Sequence, residues 1–570
     1  MLETDERDAG VLREWERRVR LARKELRWPA APECAVAHLT GASLALGAPT
    51  DQLFTATEVN EWALCASIAG REPSRRADLV AALAAEQPEE TEPPVLDDAG
   101  ALLRLRRRAA REANSRLRTL IDAARTRGLP VLADDDFLTL GAGAGGHSWP
   151  AGDLPDVDSV PWSALHGIPT ALVTGTNGKT TVVRLLAACA KAAGRATGYC
   201  CTDGVFVAGQ SLGTGDYSGP AGARRVLRDA RVEAAVLETA RGGILRRGLA
   251  VARADVAVIT GIAADHFGEF GVHDLEALTD VKLAVARALG ADGLLVVNAD
   301  DALLVRKAAA AGKPLGWFAH DSDHPLLAAH RQAGGATAGI RSGRLVLFRQ
   351  GVAHDLGAID TMPLAAGGHS LFNVWNLATA ALGAAGLDIE PAKIAAVFAR
   401  FGADPADNAG RLMRFELGGL NLIVDFAHNP AALAGLVDFA QHLRGGGRLA
   451  LLLGQAGNRE DADLERLAAV AAGARPDLVV LKEMRGYLRG RDAGEIPAIL
   501  RRALGQAGVA DSAIVEVEGE DSAVRHALAW ARAGDVLMLA VHTPAGRTAA
   551  LILIDRLRRQ AWTAGQPLPA

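Results

Sequence analysis

The segment Ala171-Leu-Val-Thr-Gly-Thr-Asn-Gly-Lys-Thr-Thr181 constrains this chain more than any other. A short apolar run ends at Gly175, and Gly178-Lys179-Thr180 opens a helical pattern through Val182, Leu185, Leu186 and Cys189. Strand, tight glycine loop and helix together make the arrangement that cradles a triphosphate. Gly175 and Gly178, with Thr176 and Asn177 between them, let backbone N–H groups approach phosphate oxygens. The helix N-terminus adds partial positive charge, Lys179 can reach the outer phosphates, and Thr180, followed by Thr181, can ligate Mg²⁺. The common spacing needs glycine at 173, where this chain has Val173. A chance Gly-Lys-Thr in a surface turn is the bland alternative, and it requires both flanking patterns to be accidental. The segment therefore points to ATP or GTP.

Composition narrows the class. The chain has 570 residues, enough for about three or four domains. Lys plus Arg number 62 against 67 Asp plus Glu, a formal charge of −5, which gives no reason to expect nucleic acid or a membrane surface as partner. The 5 cysteines have no metal spacing and read as reduced structural thiols. The N-terminus lacks a basic region followed by an apolar one, and no 18-residue apolar run is free of charges, so a cytoplasmic enzyme is the expected class.

Residues 1–160 read as a mainly helical, charged region, with helical periodicity over Glu14 to Glu25 and Ala101 to Ala124. The second run carries Arg104, Arg106, Arg107, Arg108, Arg111, Arg116 and Arg118, a solvated helix face or, more sharply, a docking surface for an acidic partner. Gln87 to Pro94 reads as an acidic, proline-rich linker, and Gly141 to Gly146 with the Pro/Asp-rich stretch to Pro161 as a second. From 168 onward strands alternate with helices: Ala171–Thr174, Ala234–Leu237, Val256–Ile259 and Leu294–Asn298. A second series follows at Leu422–Asp425, Leu449–Leu453, Leu478–Leu481 and Val536–Ala540. The expected fold is therefore α/β: a central domain with a P-loop and a parallel sheet (165–409), then a smaller Rossmann-like α/β domain (410–570).

The candidate polar residues sit just beyond these strands, where open α/β sheets bind ligands. Glu238 is placed to hold Mg²⁺ beside Thr180. His266, after Asp265, can serve a second metal ion, although a lone loop histidine is more often an ordinary surface one. Lys282 lies on the next helical segment, where a solvated lysine is the plain reading. Asn298 and Asp301 follow the fourth strand, Arg411 opens the junction to the last domain, and Asp425 with His428 and Asn429 follows that domain's first strand. Aspartate at 425 can accept from a ribose hydroxyl. Each signal is weak alone; their order along the chain carries the weight.

That order resembles the Mur ligase superfamily, the ATP-dependent amide ligases of peptidoglycan assembly together with folylpolyglutamate synthetase and cyanophycin synthetase. The short Thr174–Thr181 loop is similar to that family's own P-loop, which accounts for Val173. Phe372-Asn-Val-Trp-Asn376, Asn408-Ala-Gly-Arg411 and Asp425–Pro430 resemble its later motifs. Thr202-Asp-Gly204, Asp216-Tyr-Ser-Gly-Pro220, Glu238–Arg246, Ala263–His266, Asn298–Asp301 and Arg489-Gly-Arg491 with Gly494-Glu495 resemble the Mur-ligase-like half of cyanophycin synthetase. Thr57–Trp62 and Arg127–Gly143 resemble parts of that family preceding the Mur-like half, but residues 145–165 leave no room for its ATP-grasp domain.

The resemblance implies an ATP- and Mg²⁺-dependent ligase that activates a carboxylate as an acyl phosphate for attack by an amino-acid amine. It implies Lys179 at the β/γ-phosphates, Thr180, Glu238 and His266 at metal, and Gly175 to Thr181, Asn298, Asp301, Asn376, Arg411 and Asp425 at the nucleotide. Asp216, Ser218, Arg241 and His428 become candidates for holding substrate, and Lys282 for the carbamylated lysine of some members. An arginine substrate would need acidic partners such as Glu483 or Glu495. The expected partners are amino-acid or peptide substrates, with a second copy of the chain or a separate ATP-grasp protein as open alternatives. A non-catalytic subunit pairing with such a protein is the rival from another class, and a plain NTPase or kinase is disfavoured by the motifs at 408–411 and 425–430.

Overall fold

Thr170–Thr174 forms a strand buried along its whole length. A continuous apolar strand of this kind is what a parallel sheet covered on both faces requires. The computed structural model describes residues 1–570 apart from 39–40, 86–93, 266, 268 and 570. The chain divides into two compact units: Met1–Gly167 with Gly242–Val251 and His266–Leu278, and Ile168–Arg241 with Ala252–Asp265 and Thr279–Ala570.

In the second unit, among the described residues, Thr170–Thr174 lies inside an 11-stranded sheet. Ala234–Glu238 and Ala254–Ile259 flank it, both parallel to it. The parallel region continues outward to Thr197–Cys201 on one side and through Leu289–Asn298, Leu315–Asp321 and Ala336–Arg341 on the other. Antiparallel strands close both edges: Gly204–Val207 with Gln210–Thr214, and Arg344–Arg349 with Val352–Ala358. The helices Lys179–Ala192 and Leu371–Gly386 bury their apolar faces in the same core as the central strands. A Cβ at Gly386 would sit 2.6 Å from a Val256 methyl carbon, so glycine lets this helix press onto the sheet.

The same unit holds a 6-stranded sheet. Its order is Met413–Leu417, Leu420–Asp425, Val536–Ala540, Leu449–Leu453, Leu478–Glu483 and Ile514–Glu518. Only the first pair is antiparallel. Both strand series read from the sequence are thus strands of parallel-dominated sheets, and the α/β class holds. Among the described residues no helix is long and apolar enough to cross a membrane.

The first unit is helical, but less purely than its charge pattern predicts. Glu33–His38 and Gly41–Leu46 pair antiparallel, with Leu2–Thr4 beside Gly41–Leu46, packed with Trp15, Val19, Val59 and Trp62. Within the Thr57–Trp62 motif, Asn60 accepts from the Trp15 indole at 2.8 Å and donates to the Leu44 carbonyl. The helical run over 101–124 is two helices, Asp98–Glu112 and Ser115–Thr126. Asn114 breaks it by capping the second, accepting from Leu117 N. The expected glycine linker is instead packed structure: Gly141 to Gly146 joins Phe137–Leu140 to His147–Pro150 in a three-stranded sheet, over buried Leu120, Ile121 and Leu154. The other expected linker falls almost wholly outside the described residues. Several arginines of the charged run pair within the unit, Arg108 with Glu58, Arg116 with Asp156 and Arg106 with Glu25. Such pairing favours a solvated helix face.

Leu186, on the P-loop helix, is fully buried against Leu371–Gly386. Leu186→Ala is expected to lower stability by about 2–5 kcal/mol, read as a shift in the denaturant midpoint of the second unit at unchanged slope.

Candidate active site

The loop from Gly175 to Gly178 is held from three sides. Thr176 N donates to Gly261 O at 2.9 Å, its hydroxyl reaches Ala263, and the Thr260 hydroxyl donates to Asn177 O. Gly178 caps the helix with φ +83°, and a Cβ there would lie 2.2 Å from Asn376 Oδ1. Asn376 is aimed by its donation to Asn373 Oδ1 at 3.0 Å, and Asn373 in turn donates to the Leu364 carbonyl. The Phe372–Asn376 segment therefore buttresses the phosphate loop. Lys179 Nζ donates to Thr176 O at 2.8 Å, which keeps the ammonium against the loop.

Glu238 ends the neighbouring strand and is only 1% exposed. Its carboxylate accepts from the Thr180 hydroxyl at 2.8 Å and the Thr202 hydroxyl at 3.0 Å. A buried carboxylate with two hydroxyls beside it is a hard oxygen donor set, and it fits a small divalent cation such as Mg²⁺. Among the described residues no three His, Cys, Asp or Glu side chains gather into a metal cluster. His266 lies outside the described residues. Lys282 is not the solvated helix lysine of the plain reading: it is 4% exposed and donates to Gly175 O at 2.7 Å. Burial, reinforced by the nearby Lys179 charge, pulls its ammonium well below the usual lysine range.

A second group of residues comes from the far side. Arg411 Nη2 is 3.5 Å from Thr180 Oγ1, and its guanidinium lies 4.5 Å over the Phe426 ring. Asp425 accepts from Leu412 N and Ala427 N at 2.6 and 2.7 Å; burial pushes its carboxyl up, against Arg411 and these N–H groups. Asn429 caps Pro430–Arg444 and exchanges hydrogen bonds with Asn177 at 2.9 and 3.2 Å. It also donates to Asp265, which pairs with Arg459 at 2.8 Å and lies 3.7 Å from His428 Nε2.

A cavity of about 660 Å³ joins these groups. Its walls include Thr176 to Thr181, Glu238, Asn298, Asp301, Asn376, Arg411, Asp425 and His428. Asn298 and Asp301 spend part of their hydrogen-bonding capacity on their own turn, Asp301 capping Ala302–Ala308 and accepting from Ile262 N. Asp216, Ser218 and Arg241 stand apart from its walls. There Ser218 donates to Asp216 at 2.6 Å, its carbonyl accepts from Ala240 N, and Arg241 is buried. Glu483 accepts from Gly494 N and Glu495 from Arg491; neither lines the cavity. Thr202, Thr260, Arg184, Asp203, Arg459 and Arg547 were not picked out as site residues in the sequence. Thr202 and Asp203 lay within a recognised motif; the arginines carry no local signal.

Residues 173–382 match the Mur ligase middle domain, and residues 410–541 the Mur ligase glutamate ligase domain. A UDP-N-acetylmuramoyl-L-alanyl-D-glutamate--2,6-diaminopimelate ligase of Xanthomonas campestris pv. campestris is 30% identical over 392 residues, 66% of this chain and 73% of that protein. The chain belongs to the Mur ligase family. A cyanophycin synthetase of Trichormus variabilis is 34% identical over 372 residues, 65% of this chain. The match spans 41% of that relative's length. Among solved structures, E. coli FolC in complex with DHPP and ADP has a TM-score of 0.50 at 21% identity, covering 69% of this chain and 89% of that one. It shares the Mur ligase fold.

Two glycines with similar left-handed backbones separate strain from clash. Gly194 has φ +85° with nothing near its missing Cβ, whereas Gly178 faces Asn376. Gly194→Ala is expected to lower stability by about 1–2 kcal/mol from the backbone alone, and Gly178→Ala by clearly more, as measured by calorimetry.

Proposed function

We propose that this chain is an ATP-dependent carbon–nitrogen ligase that joins a carboxylate to an amino-acid or peptide amine, in the manner of the Mur-ligase-like half of cyanophycin synthetase. The observation that carries this reading is the single cavity into which Lys179, Thr180, Glu238, Arg411 and Asp425 all open. A phosphate loop alone would suit any NTPase. Arg411 and Asp425, contributed by a second α/β element, add a further wall to the nucleotide end. We take 165–409 as the nucleotide-binding domain, 410–570 as the closing domain, and 1–160 as the N-terminal region.

ATP would supply a phosphoryl group to the substrate carboxylate; the amine then attacks that carbonyl carbon and phosphate leaves. The protein's part is positioning and charge neutralisation. Lys179 would turn from Thr176 O to the outer phosphates, with the amides of Gly175 to Gly178 along them. Thr180 and Glu238, with His266 as sequence candidate, would hold Mg²⁺, which offsets phosphate charge. Arg411, beside Thr180, would neutralise charge that builds on the transferring group. Asp425 keeps acceptor capacity beyond its backbone N–H partners and would take a ribose hydroxyl. His428 and Asn376 border the same cavity. Asp216, Ser218 and Arg241, away from the cavity walls, remain the proposed hold on the carboxylate substrate. An intact Lys179, Glu238 and Arg411 favours catalysis over an accessory role.

Lys282 is favoured as a neutral amine by burial, the form that takes up carbon dioxide as a carbamate. Protein equilibrated with ¹³C-bicarbonate is expected to show a carbamate carbon resonance that Lys282→Arg removes; an unchanged spectrum rejects this role.

Purified protein should release phosphate from ATP only with a matched carboxylate and amine, and mass spectrometry should find the condensed amide. Lys179→Ala is expected to reduce turnover about 10²–10³-fold. Phosphate release with no condensed product across a broad panel of pairs would overturn the ligase reading.

A further inference from the structure

Thr202-Asp203-Gly204 follows the strand Thr197–Cys201, and Thr202 already serves Glu238. Asp203 next to it is not among the residues assigned to phosphate or metal, yet it faces three arginines. Its side chain is 9% exposed and lies 2.8 Å from Arg184, 2.7 Å from Arg547 and 3.9 Å from Arg411. These arginines come from three places. Arg184 sits one turn into the phosphate-loop helix, Arg411 at the 408–411 junction, and Arg547 on the helix Pro544–Arg559 behind the last strand of the smaller sheet.

The neighbouring contacts extend the knot. Arg184 also donates to Ala409 O at 2.8 Å and Asn408 Oδ1 at 3.3 Å, while Asn408 donates to the Thr181 hydroxyl at 3.2 Å. Gly410 has a left-handed backbone with φ +75°, and a Cβ there would sit 2.4 Å from Arg547 Nη1, so the junction favours glycine and brings Arg547 close to it. Guanidiniums carry their charge at every accessible pH, so three of them gathered here repel one another unless an anion lies between them. Burial disfavours that anion, but the combined field of Arg411, Arg184 and Arg547 outweighs it and holds the Asp203 carboxyl below the usual range.

We propose that Asp203 is a positioning residue: it keeps Arg411 beside Thr180 and, through Arg547, ties the seating of the 410–570 segment to the phosphate-loop helix. The proposal rests on the ligase reading for its kinetic consequence alone. Asp203 does not line the cavity. Its effect passes through Arg411, whose guanidinium would otherwise be driven from its two arginine neighbours.

The test uses the full chain with Asp203→Asn, Arg547→Met, Arg547→Lys and the Asp203→Asn/Arg547→Met double variant. Hydrogen exchange across 405–415, measured without nucleotide, should quicken in Asp203→Asn and in Arg547→Met. In turnover, Arg547→Met should lower kcat about 10- to 100-fold with a much smaller change in KM for ATP. Arg547→Lys should recover part of that loss, and the double variant should be no worse than Asp203→Asn. Wild-type exchange over 405–415 in both single variants, or losses that multiply in the double variant, would overturn the proposal. If Asp203→Asn does not fold, the half-buried Arg547 pair of variants decides through exchange and the kcat-against-KM split. Should the wild-type protein form no amide with any pair, the ligase reading fails, and the exchange measurement still decides the role of Asp203.

Discussion

The hydrogen bond from Thr180 to Glu238 organises the site. A carboxylate that is 1% exposed has almost no water to bond and needs protein donors in its place. Here those donors are the Thr180 and Thr202 hydroxyls, supplied by the first turn of one helix and the end of one strand. The bond therefore fixes the phosphate-loop helix against the neighbouring strand. The other groups of the cavity gather around that pair: Lys179 one residue before, Arg411 reaching Thr180 from the other side, and Asn376 filling the space over Gly178.

The sheet order explains why these residues converge. The phosphate-loop strand lies between Ala234–Glu238 and Ala254–Ile259, so the three loops beyond them open on one edge. The smaller sheet contributes its Asp425–Asn429 turn to the same place. Parallel strands with buried apolar bodies and polar ends thus do two tasks at once. Their interiors supply the core, and their ends deliver unlike chemical groups to a single cavity.

Much of this was legible in the sequence because it is local. Apolar runs that stop abruptly at Gly175, Glu238, Asn298 and Asp425 mark both the strands and the residues at their tips. What escaped is long-range. Arg547 pairs with Asp203 across 344 positions, and nothing near either residue announces the other. Burial of Lys282 was hidden for the same reason, since its helix pattern does not say which face meets Gly175. In the first unit the errors were of another kind. Glu33–His38 is mostly small residues, with alanine and cysteine around a single valine, which obscures a strand, while the Asn114 cap was a readable break inside an otherwise regular helical run.

The reciprocal amide contact between Asn177 and Asn429 has a consequence for ionic conditions. Each amide gives and receives, so the contact carries no net charge and is little affected by dissolved salt. The pair beside it, Arg459 with Asp265, is ionic but buried, its side chains 8% and 10% exposed, so salt screens it weakly as well. At these contacts the junction between the two sheets therefore depends little on ionic strength. Added salt therefore leaves the phosphate loop both its amide partner and the buried charge pair next to it.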